Sequence, residues 1–394
     1  MKRITGVLRD YAWGSLTDIP RILGTEPSGT PQAEYWLGAH PLAPSDADGR
    51  PLDDLISDHP DLLGDRCRTA FGDRLPFLMK LLAAAHPLSL QAHPSRRQAE
   101  AGFAAEERLG IPRDHPERNY RDDWPKPELL CALTDFDALY GLRDPERTRE
   151  LFAALGGTGA DDLLAGLDGP GEPADRLREV FLSLLKQPRP GLTERVTAAA
   201  RRRLAHPGGA PRDVDRFAET AVRLATDRPG DPGILAALLM NRLTLHRHEA
   251  LFVPAGMMHA YLRGTGVEVM ATSDNVLRCG LTAKHIDIDA LVDVVDFAPA
   301  DPVRVTAAPV VPGLWHYRTE AREFAVWRTG GLTSPVDLPA AGRPRIVLAV
   351  DGPVALAGGG GPVDLPQGRA VLVSAEERVR VGGPGVAFIA SSGV

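Results

Sequence analysis

The chain has 394 residues, 43% of them hydrophobic and 25% charged, with a formal net charge of −7 at pH 7. That length exceeds one ordinary core, so two or three domains of a soluble globular protein are expected. The acidic balance argues against nucleic acid as a partner, and no run of about 18 apolar residues offers a membrane span.

Residues 1 to about 145 read as short strands and turns, punctuated by Pro and Gly. No apolar leader precedes Arg9 and Asp10, and the three cysteines (Cys67, Cys131, Cys279) form no C-x-x-C pair. Reduced thiols in a cytoplasm are therefore expected. Aromatic residues concentrate at Tyr11 to Ser15 and Ala33 to Pro41, where core or rim packing is the simplest role for the tryptophans. Leu75 to Leu90 is largely apolar, interrupted by Lys80, and a Lys in such a segment snorkels or pairs with a carboxylate.

Leu88 to Pro94 alternates. On a strand, Ser89, Gln91 and His93 share one face, while Leu88, Leu90 and Ala92 share the other. Gln91 and His93 then stand roughly 6–7 Å apart, a spacing from which two side chains converge on one metal ion. After them, Ser95 and Gln98 are placed as the capping box of a short helix. Prolines on both sides of Lys126 rule out a helix interior, so Lys126 and Glu128 share a face of an extended segment leading into Leu129 to Leu133, which should be buried.

Residues of about 146 to 240 change period. Leu177, Val180, Phe181, Leu184 and Leu185, and again Val214, Phe217, Ala218, Ala221, Leu224 and Ala225, fall at helical spacing. Pro188, Pro190, Pro207 and Pro211 are expected to separate the helices of an inserted domain. Strand patterns return at Leu243, and from about 300 onward the chain is strand and turn throughout, which suggests a second β domain. Neither Gly264-Thr265-Gly266 nor Gly358 to Gly361 completes a nucleotide-binding fingerprint.

The polar groups that interrupt buried strands are Gln91, His93, Lys126, Glu128, His259, Asp274 and Arg278. Two imidazoles, a carboxylate and an amide oxygen make a four-ligand set for a divalent ion, zinc first. His246 and His248 form a rival H-x-H, weakened by the charged Arg247 and Glu249 around them.

Leu88 to Pro94, Lys126 to Leu133 and Val253 to Leu281 resemble the signatures of the type I mannose-6-phosphate isomerase (phosphomannose isomerase) family. H-A-Y-L at 259 to 262 and S-D-N-V-L-R at 273 to 278 are its most specific stretches. The resemblance implies a mainly β protein: a cupin (jelly-roll) catalytic domain (1–145 plus 241–300), an inserted α-helical domain (146–240) and a smaller C-terminal cupin-like β domain (301–394). It implies one zinc per chain held by Gln91, His93, Glu128 and His259. It also implies interconversion of mannose 6-phosphate and fructose 6-phosphate through a cis-enediol, by a cytoplasmic monomer whose partner is the small sugar phosphate, with no nucleic acid or membrane. Arg278 is the family's most cited catalytic residue, with Lys126, Glu268 and Asp274 as base candidates. Ser89, Lys80, Lys284 and Trp13 are candidates for substrate binding. The family commonly has Asn-His ahead of Lys-Pro-Glu, and this chain has Trp124-Pro125, which removes a side chain proposed to assist ring opening. The alternatives are an isomerase of a related sugar, a non-catalytic sugar-phosphate-binding cupin, or a metal-dependent oxygenase, which would call for more histidines.

Overall fold

The computed structural model describes residues 1–187, 189–206 and 212–394, and the architecture is mainly β, in several sheets. The first strand, β1 (Lys2–Ile4), joins a sheet from the far end of the chain, pairing with Ala370–Val373. Next come β2 (Val7–Arg9), β3 (Glu34–Leu37), β4 (Phe77–Ala84) and β5 (Leu90–Ala92). They are followed by β6 (Glu128–Ala132), β7 (Phe136–Leu142), β8 (Met240–Leu245) and β9 (Ala250–Val253). The series ends with β10 (His259–Ala271), β11 (Leu277–Gly280) and β12 (Arg304–Val305). Strands β2 to β12 form one antiparallel network organised on β10. The first half of β10 pairs with β5 and β7, and the second half with β4 and β6.

To serve both sets, β10 turns a corner. Before it, Ala260 and Leu262 pack toward the helices while Tyr261 points into the interior between the two halves of the network. After it, Val267 and Val269 pack outward and Glu268 turns inward to accept a hydrogen bond from the Tyr261 hydroxyl at 2.9 Å. The inward positions thus pass from odd to even, which requires an irregularity, and the ladder shifts register between Tyr261 and Arg263. Gly264 follows at φ 131°, where a Cβ would meet the Phe136 ring at 2.7 Å and the Asp135 carbonyl at 2.8 Å. The Gly-Thr-Gly stretch is therefore a corner.

Between β7 and β8 the chain is helical, with Pro145–Leu155, Pro173–Lys186, Leu192–Ala205 and Arg212–Asp227 as the longer helices. The predicted apolar stripes are buried, except that Leu185 is only partly so. Pro188, Pro207 and Pro211 lie outside the described residues. The helices cover the outer face of β5, β10 and β11, where Leu90, Ala92, Ala260, Leu262, Leu277 and Cys279 are buried. Each of the three leucines contributes about 1.5–3 kcal/mol on burial. On the opposite side, Leu81, Leu129, Val267 and Val269 pack against Ile346, Leu348 and Phe388 of the C-terminal seven-stranded sheet. That sheet's other face packs on a four-stranded sheet through Val347, Val371, Leu356 and Val381. The two ends of the chain exchange edges, since β1 lies in the C-terminal sheet and β12 pairs with β9.

Candidate active site

His93, Glu128 and His259 are buried, and one ligand atom from each lies within 4.8 Å of the other two. His93 follows β5, Glu128 opens β6 and His259 opens β10. The ring nitrogen Nε2 of His93 is 3.3 Å from one Glu128 oxygen, and that of His259 is 3.2 Å from the other. His93 Nδ1 donates to the Asn275 carbonyl at 2.8 Å and His259 Nδ1 to the Met257 carbonyl at 3.2 Å. Carbonyls only accept, so each ring carries its proton on Nδ1 and points an Nε2 lone pair at Glu128. Both Nε2 atoms and Glu128 Oε2 are buried with no hydrogen-bond partner. Three converging buried acceptors with no proton among them fit a cation, and imidazole, imidazole and carboxylate suit zinc.

The ionisation states agree with that fit. Burial pushes the His93 imidazole down to about 4, against the opposing pull of Glu128, so it is neutral at physiological pH. Burial also disfavours ionised Glu128, but its neighbours, the Lys126 ammonium at 3.2 Å among them, outweigh it and hold the carboxyl well below its ordinary range. Gln91 stands opposite His259 in the β5–β10 ladder and opposite Arg278 in the β5–β11 ladder. His246, by contrast, bonds Asp135 at 2.9 Å on the surface, and neither it nor His248 belongs to the metal-type group among the described residues.

Next to the trio, which is not itself among its walls, lies a cleft of about 680 Å³ whose walls include Trp13, Lys80, Ser89, Gln91, Lys126, Asp274, Arg278 and Lys284. Lys126 Nζ is 3.2 Å from Glu128. Lys80 is clasped between Glu268 at 3.1 Å and Glu34 at 3.6 Å, so the apolar strand β4 tolerates it by pairing. Burial opposes its charge, yet the two carboxylates raise its pKa above the ordinary lysine value. Glu268 lies behind Lys80, fully buried, and is not itself a wall of the cleft. Burial and its acidic neighbours raise its pKa despite Lys80. Asp274 differs, because it lines the cleft and is held by His40 Nε2 at 3.4 Å. Burial works against the charge on Asp274, and His40 together with nearby cations overcomes it, so the pKa is lowered.

The far end of the cleft is cationic. Burial and the charge of Arg121 lower the Arg278 pKa, and the charge of Arg278, with burial and Arg121, lowers that of Lys284. Among the described residues none of the three has a carboxylate within ion-pair distance, so their charge is available to an anion. Trp13 stacks on Tyr11 at 5.7 Å at another wall.

A family model described as phosphomannose isomerase type I, catalytic domain, matches residues 1–145. The chain is 40% identical over 321 residues to the mannose-6-phosphate isomerase of Escherichia coli, covering 79% of each. The chain belongs to the mannose-6-phosphate isomerase family. It is also 29% identical over 402 residues to the human mannose-6-phosphate isomerase, covering 94% of this chain and 93% of that one. A crystal structure of mannose 6-phosphate isomerase bound with zinc and yttrium superposes with a TM-score of 0.88 at 32% identity over the full length of both. A variant of the phosphomannose isomerase from Salmonella typhimurium gives 0.89, again over both whole chains.

Arg121, His40 and Glu34 also line the cleft, and no sequence pattern singles them out. Arg121 lies in a charged loop that reads as surface. His40 stands before a proline in an aromatic stretch, and only its burial and its contact with Asp274 single it out. Leu88 was expected on the core face with Leu90 and Ala92. It lies ahead of the three-residue strand, half-buried, and lines the cleft instead. The alternation starts two residues later than the pattern suggests. Pro125 is buried, and the imidazoles on the cleft are those of His40 and His86.

Proposed function

We propose that this protein interconverts mannose 6-phosphate and fructose 6-phosphate, with one zinc ion held by Gln91, His93, Glu128 and His259. The observation that carries the reading is the convergence of three proton-free buried acceptors beside Gln91 and Lys126, two walls of a cleft that also holds three cations without a carboxylate partner. Zinc supplies a Lewis acid that stabilises negative charge developing on the sugar's C1 and C2 oxygens. The rest falls to the chain. Arg121, Lys284 and the Ser89 hydroxyl bind the phosphate, where charged hydrogen bonds are strong. Arg278, one strand from Gln91, adds fixed positive charge beside the reacting carbons. Of the base candidates, Asp274 has an ionised carboxylate on the cleft, whereas Glu268 is committed to Lys80 and Tyr261, and Lys126 to Glu128. Asp274 moves the proton between C2 and C1, and His40 holds its carboxylate in place. Lys80 and Lys126 present ammonium donors to the sugar hydroxyls, and Trp13 forms a wall. With Pro125 unable to donate or accept through its side chain, ring opening falls to the His40–Asp274 pair.

We also infer a jelly-roll catalytic domain (1–145 plus 241–300) interrupted by the helical domain (146–240) and followed by a cupin-like β domain (301–394). The corner in β10 and the return of the chain from Leu142 to Met240 support that division. We infer a monomer in the cytoplasm, where three buried unpaired thiols would stay reduced. No helix among the described residues is long and apolar enough to cross a membrane. The test is a coupled assay for fructose 6-phosphate from mannose 6-phosphate, before chelation, after it and with zinc restored. Activity lost and regained supports the reading, and a folded, zinc-loaded protein with no turnover refutes it.

A further inference from the structure

Asn275 is fully buried, and every polar atom it has is bonded. Its Nδ2 donates to the Asp122 carbonyl at 2.8 Å, the Asp122 carboxylate at 3.2 Å and the Trp124 carbonyl at 2.9 Å. Its Oδ1 accepts from the N–H of Arg121 at 2.8 Å and of Asp122 at 3.3 Å. Its own N–H donates to Ser273 Oγ at 3.2 Å, and its carbonyl accepts from His93 Nδ1 at 2.8 Å. One residue therefore holds the acceptor that fixes the His93 ring and the backbone that presents Arg121.

We propose that Asn275 is a positioning residue that couples the metal ligand His93 to the cationic end of the cleft. This rests on the zinc and sugar-phosphate reading above. The chemistry needs an amide. Only a side chain with donors at one end and an acceptor at the other can satisfy two carbonyls, a carboxylate and two N–H groups in one buried place. Aspartate would face the Asp122 carboxylate and both carbonyls with oxygens. Alanine would leave the N–H groups of Arg121 and Asp122 without a partner, and the 119–124 loop would relax away from residues 273–275. Relaxation moves the 275 peptide, and with it the carbonyl that sets the tautomer and aim of His93. Groups that orient a metal ligand in this way are worth roughly 10–100-fold in metal affinity.

The test measures zinc affinity by competition with a chromogenic chelator, a readout independent of turnover, alongside the KM for mannose 6-phosphate. Asn275→Ala should lose about 10–100-fold in zinc affinity and raise KM together. Arg121→Ala should raise KM and leave zinc affinity unchanged. Leu356→Ala, a cavity between the C-terminal seven-stranded and four-stranded sheets, should lower stability and leave zinc affinity unchanged, which separates positioning from loss of stability. A folded Asn275→Ala protein with zinc affinity within about twofold of wild type overturns the proposal. If Asn275→Ala does not fold, Asn275→Ser is measured the same way, and failure of both to fold assigns Asn275 to folding alone and overturns it. Loss of zinc affinity in a protein that never isomerises mannose 6-phosphate would sustain this inference while refuting the proposed substrate.

Discussion

Replacing Lys80 by methionine removes one charge and keeps most of the buried stem. Glu34 and Glu268 are then left facing each other without the cation between them, at a place where side-chain exposure is below 10%. Glu34 keeps a hydrogen bond from the Trp36 indole at 2.7 Å and Glu268 one from the Tyr261 hydroxyl at 2.9 Å, but Glu268 already has a raised pKa and is the group that takes up a proton. Protonating a carboxyl of ordinary pKa near 4.5 costs about 4 kcal/mol at pH 7.5 and about 1.4 kcal/mol at pH 5.5. The first figure agrees with the roughly 3–5 kcal/mol expected for breaking a buried pair. The sign follows from linkage. Glu268 already has a raised pKa in the folded state, and loss of Lys80 raises it further. The folded variant therefore binds the extra proton, and its stability falls as pH rises from the unfolded carboxyl value through the raised folded one. Urea unfolding followed by tryptophan fluorescence at pH 5.5, 6.5 and 7.5 should show a deficit that grows with pH. A variant within about 1 kcal/mol of wild type at every pH, or a deficit that grows toward acid, would refute the claim that the charge of Lys80 is spent on these carboxylates rather than on a substrate phosphate.

Two other predictions concern titration and reactivity. The acid limb of kcat/KM, read from the zinc-loaded protein, should lie below the ordinary aspartate range because His40 lowers the pKa of Asp274. His40→Gln should move that limb upward, since burial then acts with less opposition, and an unmoved limb would remove Asp274 as the titrating base. Burial pushes the Cys67 thiol up to about 11 and those of Cys131 and Cys279 higher still. An Ellman-type reagent at pH 8 should therefore find no fast thiol in the native protein and three in denaturant, whereas a fast native reaction would contradict the packing around them.

Much of the site was written locally. The alternation around Gln91, the prolines flanking Lys126 and the turn ahead of His259 place metal-type side chains at strand ends. The Ser95–Gln98 capping box forms as its spacing predicts. The helical stripes at 177–184 and 214–225 are equally local, because period alone determines which face is buried. What the sequence did not reveal depends on register between distant strands. Lys80 and Glu268 are 188 residues apart and meet only because β4 and β10 pair residue against residue. His40 reaches Asp274, and Arg121 reaches Arg278, by the same long-range closure. The parity switch in β10 also hid the inward side of Glu268, since a strict alternation from His259 would turn it outward. The joining of β1 to the C-terminal sheet left no mark beyond three residues of strand-forming sequence.

The most direct test of the central claim is a titration of the metal-free protein with zinc, reading turnover of mannose 6-phosphate and bound metal on the same sample. The account predicts that activity rises in proportion to bound zinc and saturates at one ion per chain, and that His259→Ala breaks both together. Full turnover in zinc-free protein, or one tightly bound zinc with no turnover, would contradict it.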